Sequence, residues 1–87
     1  MNIYITEKTA LKIKEKHGLD WDDVATIFIN DEARVDFRTG NTGISFGITS
    51  SGKAVTIITI RKGKVRWVKT ARLMTDSEKR LFRSIRR

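Results

Sequence analysis

The 87-residue sequence contains no cysteine, no proline and a single histidine. Without cysteine there are no disulfides and no thiolate-bound zinc or iron–sulfur sites, and one histidine is too few for a conventional zinc site. We therefore expect no metal and no other cofactor. No stretch approaches the roughly 20 apolar residues of a membrane helix, so we expect a soluble, cytoplasmic protein with no membrane contact.

Positive charge is concentrated in the second part of the chain, which has a net charge of +8 overall. Residues 1–36 contain 5 Lys or Arg against 8 Asp or Glu, whereas residues 37–87 contain 13 Lys or Arg against 2 Asp or Glu. A segregated cationic surface attracts polyanions and favours phosphate contacts. The charge pattern indicates a nucleic acid or an acidic protein as partner.

The length and the order of hydrophobic patterns predict one α+β domain covering residues 1–87. Two helices come first, then four strands that form an antiparallel meander, then a final helix that begins with the capping box Thr75–Glu78. The residues Ile3 to Ile5 fit either a short strand or an extended arm. The predicted helices begin near Thr6, Asp20 and Thr75, the second ends at Asn30–Asp31, and the predicted strands cover residues 34–38, 44–49, 54–60 and 64–71.

The sequence lacks the motifs of nucleophilic catalysis and of nucleotide binding. It has no Gly-x-Ser-x-Gly, and its glycines between Gly40 and Gly47 precede a strand, whereas a dinucleotide-binding loop precedes a helix. His17 could act as a general acid or base, or could simply end the first helix beside Gly18, where the helix dipole favours a cation.

Two tryptophans could stack on nucleobases, as aromatic side chains do in RNA sites. Trp21 and Trp67 each lie on the apolar side of a predicted element, which favours core packing. We therefore expect both in the core.

The cations of the strand region are better candidates for a site. Arg61 ends one predicted strand, and strict alternation in the next puts Arg66 and Arg72 on a common face, with Lys64 beside them. Guanidinium groups bind phosphates and stabilise the charge that develops during phosphoryl transfer without a metal ion. The candidate catalytic residues are Arg72, Arg66, Arg61 and His17, and the candidate substrate-binding residues are Lys53, Lys69, Lys64 and Arg38.

Three segments resemble the BrnT family of bacterial type II toxins, which belongs to the RelE-like ribonucleases. They are Lys16-His-Gly-Leu19 followed by Trp21 and Val24; Phe46-Gly-Ile-Thr49 followed by Gly52-Lys53; and Thr70-Ala-Arg72 followed by Met74-Thr75, Glu78, Lys79 and Phe82. The third is the most specific, and together the segments cover nearly the whole chain.

The resemblance implies a RelE-like fold, translation arrest through RNA cleavage, and a cognate antitoxin that binds DNA and represses its operon. The family's functional arginine at the strand end corresponds to Arg72, and a second strand arginine lies near Arg66. A third family arginine has no counterpart at Thr42 or Gly43, and Arg38 takes its place only if the loop folds back. The alternative is a non-catalytic module of this fold that binds nucleic acid or a protein partner.

Overall fold

The computed structural model describes residues 3–29 and 34–85. Its five strands form one sheet with the order β1-β5-β4-β3-β2. The predicted helix end at Asn30–Asp31 lies outside the described residues. In chain order the elements are β1 (Ile3–Tyr4), α1 (Glu7–His17), α2 (Trp21–Ile29), β2 (Val35–Thr39), β3 (Thr42–Ile48), β4 (Ala54–Lys62), β5 (Val65–Leu73) and α3 (Asp76–Ile85).

The α+β class is confirmed, but the prediction of a four-stranded, purely antiparallel sheet is wrong. Strands β2 to β5 form the expected antiparallel meander, and β1 adds a fifth strand parallel to β5. In that pairing Ile3 lies opposite Arg66 and Tyr4 opposite Trp67. Two paired residues are too few to show the alternation by which a strand is recognised in a sequence.

Side-chain caps fix where the helices begin. The Thr6 hydroxyl accepts a hydrogen bond from the Thr9 N–H at 3.1 Å, and Gly18 ends α1 with a φ of 65°. At α3, the Thr75 hydroxyl accepts from the Glu78 N–H at 3.2 Å and the Glu78 carboxylate accepts from the Thr75 N–H at 2.9 Å. This is the predicted capping box. None of the helices in the described ranges has the length and apolar character of a membrane-spanning segment.

Helices cover both faces of the sheet, and two hydrophobic clusters result. On the first face α1 and α2 pack over the main core, which contains Ile13, Leu19, Val24, Ile27, Val55, Ile57, Val68 and Ala71. On the second face α3 packs a smaller cluster of Phe46, Met74 and Phe82. We call these the α1/α2 face and the α3 face.

A β-bulge in β5 changes which face each of its side chains occupies. Ile58 pairs with Thr70 but the next residue, Thr59, pairs with Val68, so Lys69 is an extra residue of β5 at this point. A bulge residue interrupts the alternation of the strand that contains it. Residues before and after Lys69 are therefore out of phase with each other.

Candidate functional site

Arg66 is the most unusual charged residue among those the structure describes. Its exposed fraction is 7 %, and its Nη1 donates a hydrogen bond to the Thr59 hydroxyl at 3.0 Å. Gly43 leaves the space that the guanidinium occupies, because a Cβ on Gly43 would lie 2.6 Å from both Arg66 Nη1 and Thr59 Oγ1. Within the described ranges no carboxylate forms an ion pair with Arg66. The guanidinium is buried without a direct ion pair, and the charge of Asp36 compensates only in part.

Three further cations surround the opening above Arg66. Arg61 is the cross-strand partner of Arg66, and Arg38 is the partner of Gly43, so both project on the α1/α2 face. With Lys64 they line an open cleft of about 270 Å³. Burial lowers the pKa of the Arg66 guanidinium, and the charges of Arg38 and Arg61 lower it further, while Asp36 raises it. The positive charge around Arg66 therefore favours the binding of an anion in the cleft.

Asp36 provides a carboxylate beside Arg66, in a small cavity that shares Arg38 and Arg66 with the cleft. It accepts hydrogen bonds from the Ser45 hydroxyl at 2.6 Å and from Arg34 Nε at 3.0 and 3.1 Å. Arg34 is held in turn by the Phe28 carbonyl, 2.8 Å from its Nη1, and lies over the Phe28 ring. The Asp36 side chain is nevertheless 38 % exposed, so a bound molecule can reach it. Across the described chain, no group of three or more His, Cys, Asp or Glu side chains is placed to hold a metal ion.

Arg72 lies away from this site, and the prediction that it shares a face with Arg66 is wrong. The bulge at Lys69 puts Arg72, the cross-strand partner of Thr56, on the α3 face. Its two terminal nitrogens donate to the two Glu78 carboxylate oxygens at 2.6 and 2.9 Å. This hydrogen bonding raises the pKa of Arg72 and lowers that of Glu78 from 4.5 to about 2. The geometry is that of a bidentate ion pair joining β5 to α3.

Of the other predicted residues, some lie beside Arg66 and some do not. Arg38, Arg61 and Lys64 line the cleft above it. His17 and Lys69 line a different cleft, between α1 and β5. Lys53 lies near the end of α1, where its Nζ is 3.4 Å from the Gly18 carbonyl. The structure thus brings together half of the eight candidate residues.

Three residues of the site were missed by the sequence analysis, namely Gly43, Thr59 and Asp36. Thr59 and Gly43 acquire their roles through the pairing of β3 with β4, where they lie opposite each other. Asp36 could have been found, because it alternates with Arg34 and Arg38 in a predicted edge strand and so shares their face. The other two depend on strand register, which one sequence does not specify.

A search of solved structures finds a match over most of the chain. It is the crystal structure, at 1.1 Å resolution, of the Brucella abortus ribonuclease toxin BrnT. The chains are 20 % identical, the match covers 87 % of this chain and 99 % of that one, and the TM-score is 0.67. This chain has a BrnT-like fold. No protein-family model and no curated protein sequence matches it.

The match confirms the resemblance found in the sequence at the level of the fold. It extends over nearly the whole of BrnT. At 20 % identity, however, it assigns no role to any individual side chain. The roles of individual side chains therefore have to follow from the chemistry of the Arg66 site.

Proposed function

We propose that this protein is a toxin of a type II toxin–antitoxin system and acts as a metal-independent endoribonuclease that arrests translation. The observation that carries the proposal is the buried Arg66 guanidinium, which has no carboxylate partner in the described chain and lies beneath a cleft lined by Arg38, Arg61 and Lys64. The BrnT-like fold supports the same conclusion, because that protein is a ribonuclease toxin.

A phosphodiester group is the ligand that best complements this arrangement. A buried cation without a counter-ion is unfavourable, and the repulsion from Arg38 and Arg61 adds to its cost. A phosphate in the cleft would relieve both effects and would accept bidentate hydrogen bonds from guanidinium groups. A chain already folded around this geometry would lose little free energy in ordering the site when substrate binds.

The same groups suit RNA cleavage by internal attack. The 2′-hydroxyl attacks the adjacent phosphorus and the bond to the 5′-oxygen breaks. The leaving 5′-oxygen takes a proton from solvent water, so that the products are a 2′,3′-cyclic phosphate and a 5′-hydroxyl end. Arg66 and its neighbours stabilise the charge on the phosphoryl oxygens as it increases. We assign Asp36 as the acceptor of the 2′-hydroxyl proton, because it lines the small cavity that adjoins the cleft at Arg38 and Arg66, and because its side chain is partly exposed.

RNA is accordingly the proposed substrate, and the cytoplasm the proposed location. The second proposed partner is a cognate antitoxin, a DNA-binding protein that represses the operon, as the resemblance to the BrnT family implies. The surplus of positive charge complements an acidic partner.

Purified protein incubated with total RNA in excess EDTA tests the activity. The wild type should produce fragments with cyclic phosphate ends. Arg66→Met should cleave about 100-fold more slowly or worse, because it removes a preorganised charge, and should keep its melting temperature. Arg83→Met, an equal change on the exposed side of α3, is the matched control and should cleave as the wild type does.

A folded wild type that leaves RNA intact, and whose induced expression leaves growth unimpaired, would refute the proposal. The second candidate function would then apply, that of a non-catalytic module that binds RNA phosphates. One observation favours it: Arg34 and Ser45 already occupy the Asp36 carboxylate oxygens. Binding of a non-cleavable RNA that depends on Arg66 would support this second candidate.

A further inference from the structure

A second cluster of cations lies outside the Arg66 site, in a cleft of about 210 Å³ between α1 and β5. Lys12 and Lys16 line it from α1, one turn apart, and His17 follows them at the helix end. Lys69, the bulge residue of β5, lines it from the other side. This cleft and the one above Arg66 have no lining residue in common.

None of these four side chains has a hydrogen bond or ion pair within the described part of the chain. Lys14, on the same helix, shows the contrast, because its Nζ is 3.4 Å from an Asp20 carboxylate oxygen. The helix dipole accounts for cations in the last turn of α1. It does not account for Lys69, which comes from the sheet, and no carboxylate lines the cleft to offset the cluster.

The cleft continues into a second one, of about 320 Å³, that contains an aromatic side chain. The two share Lys69 and Thr9, and the second is also lined by Trp67, Ile60 and Lys62. Trp67 is only partly buried, and its ring centroid is 5.6 Å from that of the exposed Tyr4. Cations beside accessible aromatic rings suit a single-stranded nucleic acid, since bases stack on the rings while the lysines bind phosphates.

We propose that the α1–β5 cleft and the adjoining Trp67 groove form an accessory site for single-stranded RNA, where Lys12, Lys16, His17 and Lys69 contact phosphates and a base stacks on Trp67. The identity of the strand as RNA rests on the proposed function. The site would hold the substrate outside the Arg66 cleft. If the accessory site binds RNA in this way, long RNAs should bind more tightly than RNAs that fill only the Arg66 cleft.

The test measures binding of a fluorescent 2′-O-methyl oligoribonucleotide, which lacks the attacking hydroxyl, over a series of salt concentrations. The variant Lys12→Ala/Lys69→Ala should bind more weakly, with a salt slope reduced by about 1.4, from about 0.7 per lost single-strand phosphate contact. The control Lys8→Ala/Arg83→Ala removes two exposed charges that line neither cleft and should keep the wild-type slope.

Fluorescence tests the stacking contact. In a Trp21→Phe background Trp67 is the remaining tryptophan, and its emission should be quenched as the oligonucleotide binds. Quenching that is absent at saturation would overturn the stacking assignment.

Other outcomes separate the alternatives. Equal slope changes in both double variants would overturn the accessory site and leave only a general effect of net charge. Polyglutamate that binds more tightly than RNA, and loses its affinity in Lys12→Ala/Lys69→Ala, would identify an acidic protein as the ligand and overturn the RNA assignment. A wild type that cleaves no RNA but shows the predicted slope change would refute the nuclease and support the accessory site.

Discussion

The ion pair between Arg72 and Glu78 should contribute measurably to stability, and a double-mutant cycle with Arg72→Met and Glu78→Gln can isolate it. Besides its two bonds from Arg72, the Glu78 carboxylate accepts from Thr56 at 3.1 Å and from the Thr75 N–H at 2.9 Å. It therefore connects β4, β5 and the start of α3. Each single change keeps most of the side-chain volume, so the cycle reports the interaction more than a cavity.

The magnitude follows from the pKa of Glu78, which falls from 4.5 to about 2 in the folded protein. At about 1.4 kcal/mol per pH unit this corresponds to roughly 3–4 kcal/mol, which is an upper limit. The Glu78 side chain is 19 % exposed and that of Arg72 33 %, so solvent screens part of the interaction. Part of the shift also belongs to Thr75 and Thr56. We expect a coupling free energy of about 1–2 kcal/mol at neutral pH.

The contribution should depend on pH in a defined direction. The pKa of Glu78 is depressed in the folded state, so the stabilisation is complete above its unfolded value of 4.5 and declines as the pH falls towards about 2. Glu78→Gln carries no titratable group at this position. Its free energy of unfolding should therefore change less than that of the wild type over this interval.

Urea unfolding of the four proteins of the cycle, followed by circular dichroism at pH 7 and pH 3, provides the measurement. The pair formed by Lys14 and Asp20 is the control, because its side chains are 68 % and 61 % exposed. The cycle Lys14→Met with Asp20→Asn should give a coupling near zero. A coupling for Arg72 and Glu78 that is equally small would contradict the reasoning.

Three further changes test the packing that the site needs. Gly43→Ala should displace the Arg66 guanidinium, since the added methyl would lie 2.6 Å from its Nη1. The variant should keep its secondary structure but bind phosphate more weakly, as measured by calorimetry. Unchanged affinity would show that Arg66 does not need its observed position. Gly47→Ala places a methyl group against the Ile27 side chain and should cost about 1–3 kcal/mol in urea unfolding, and a neutral result would mean that α2 shifts freely. Deletion of Lys69 removes the bulge and should lower the free energy of unfolding by more than about 3 kcal/mol, because the part of β5 before it must change faces or register. The control Lys69→Ala keeps the bulge and should leave the free energy of unfolding nearly unchanged. A deletion variant as stable as the wild type would argue against the bulge.

Much of the fold could be predicted because local signals determine it. The caps at Thr6 and Thr75 depend on residues three positions away in sequence, and each is found where the pattern indicates. The turn at Gly18 likewise needs a positive φ that glycine adopts readily. The expectation that both tryptophans lie in the core is wrong for Trp21, which is exposed at the start of α2, and Trp67 is only partly buried and belongs to neither hydrophobic cluster. A helix of nine residues has room for only a narrow buried stripe, and Trp21 lies beside it.

The site itself was only partly predictable, because it depends on one extra residue in a strand. Regular alternation places Arg66 and Arg72 together, and nothing in the local sequence of β5 marks Lys69 as a bulge. Regular alternation would place either Val68 or Ala71 outside the main core, and this becomes visible only in the three-dimensional structure. Val68 and Ala71 both belong to the main core, and two residues with odd spacing can share a face only if the strand contains an irregularity.

This geometry changes how the loss of an arginine must be interpreted. Arg72 has its counter-ion in Glu78, so a variant at this position that loses activity has also lost the contact that holds α3 to the sheet. Arg66 has no ion-pair partner among the described residues. Removal of its charge relieves the penalty of burial and the repulsion from Arg38 and Arg61, which together exceed the lost attraction of Asp36. Arg66→Met should therefore lose activity while it keeps its stability. Activity and unfolding measured on the same two variants separate an arginine that binds the substrate from one that holds the fold together.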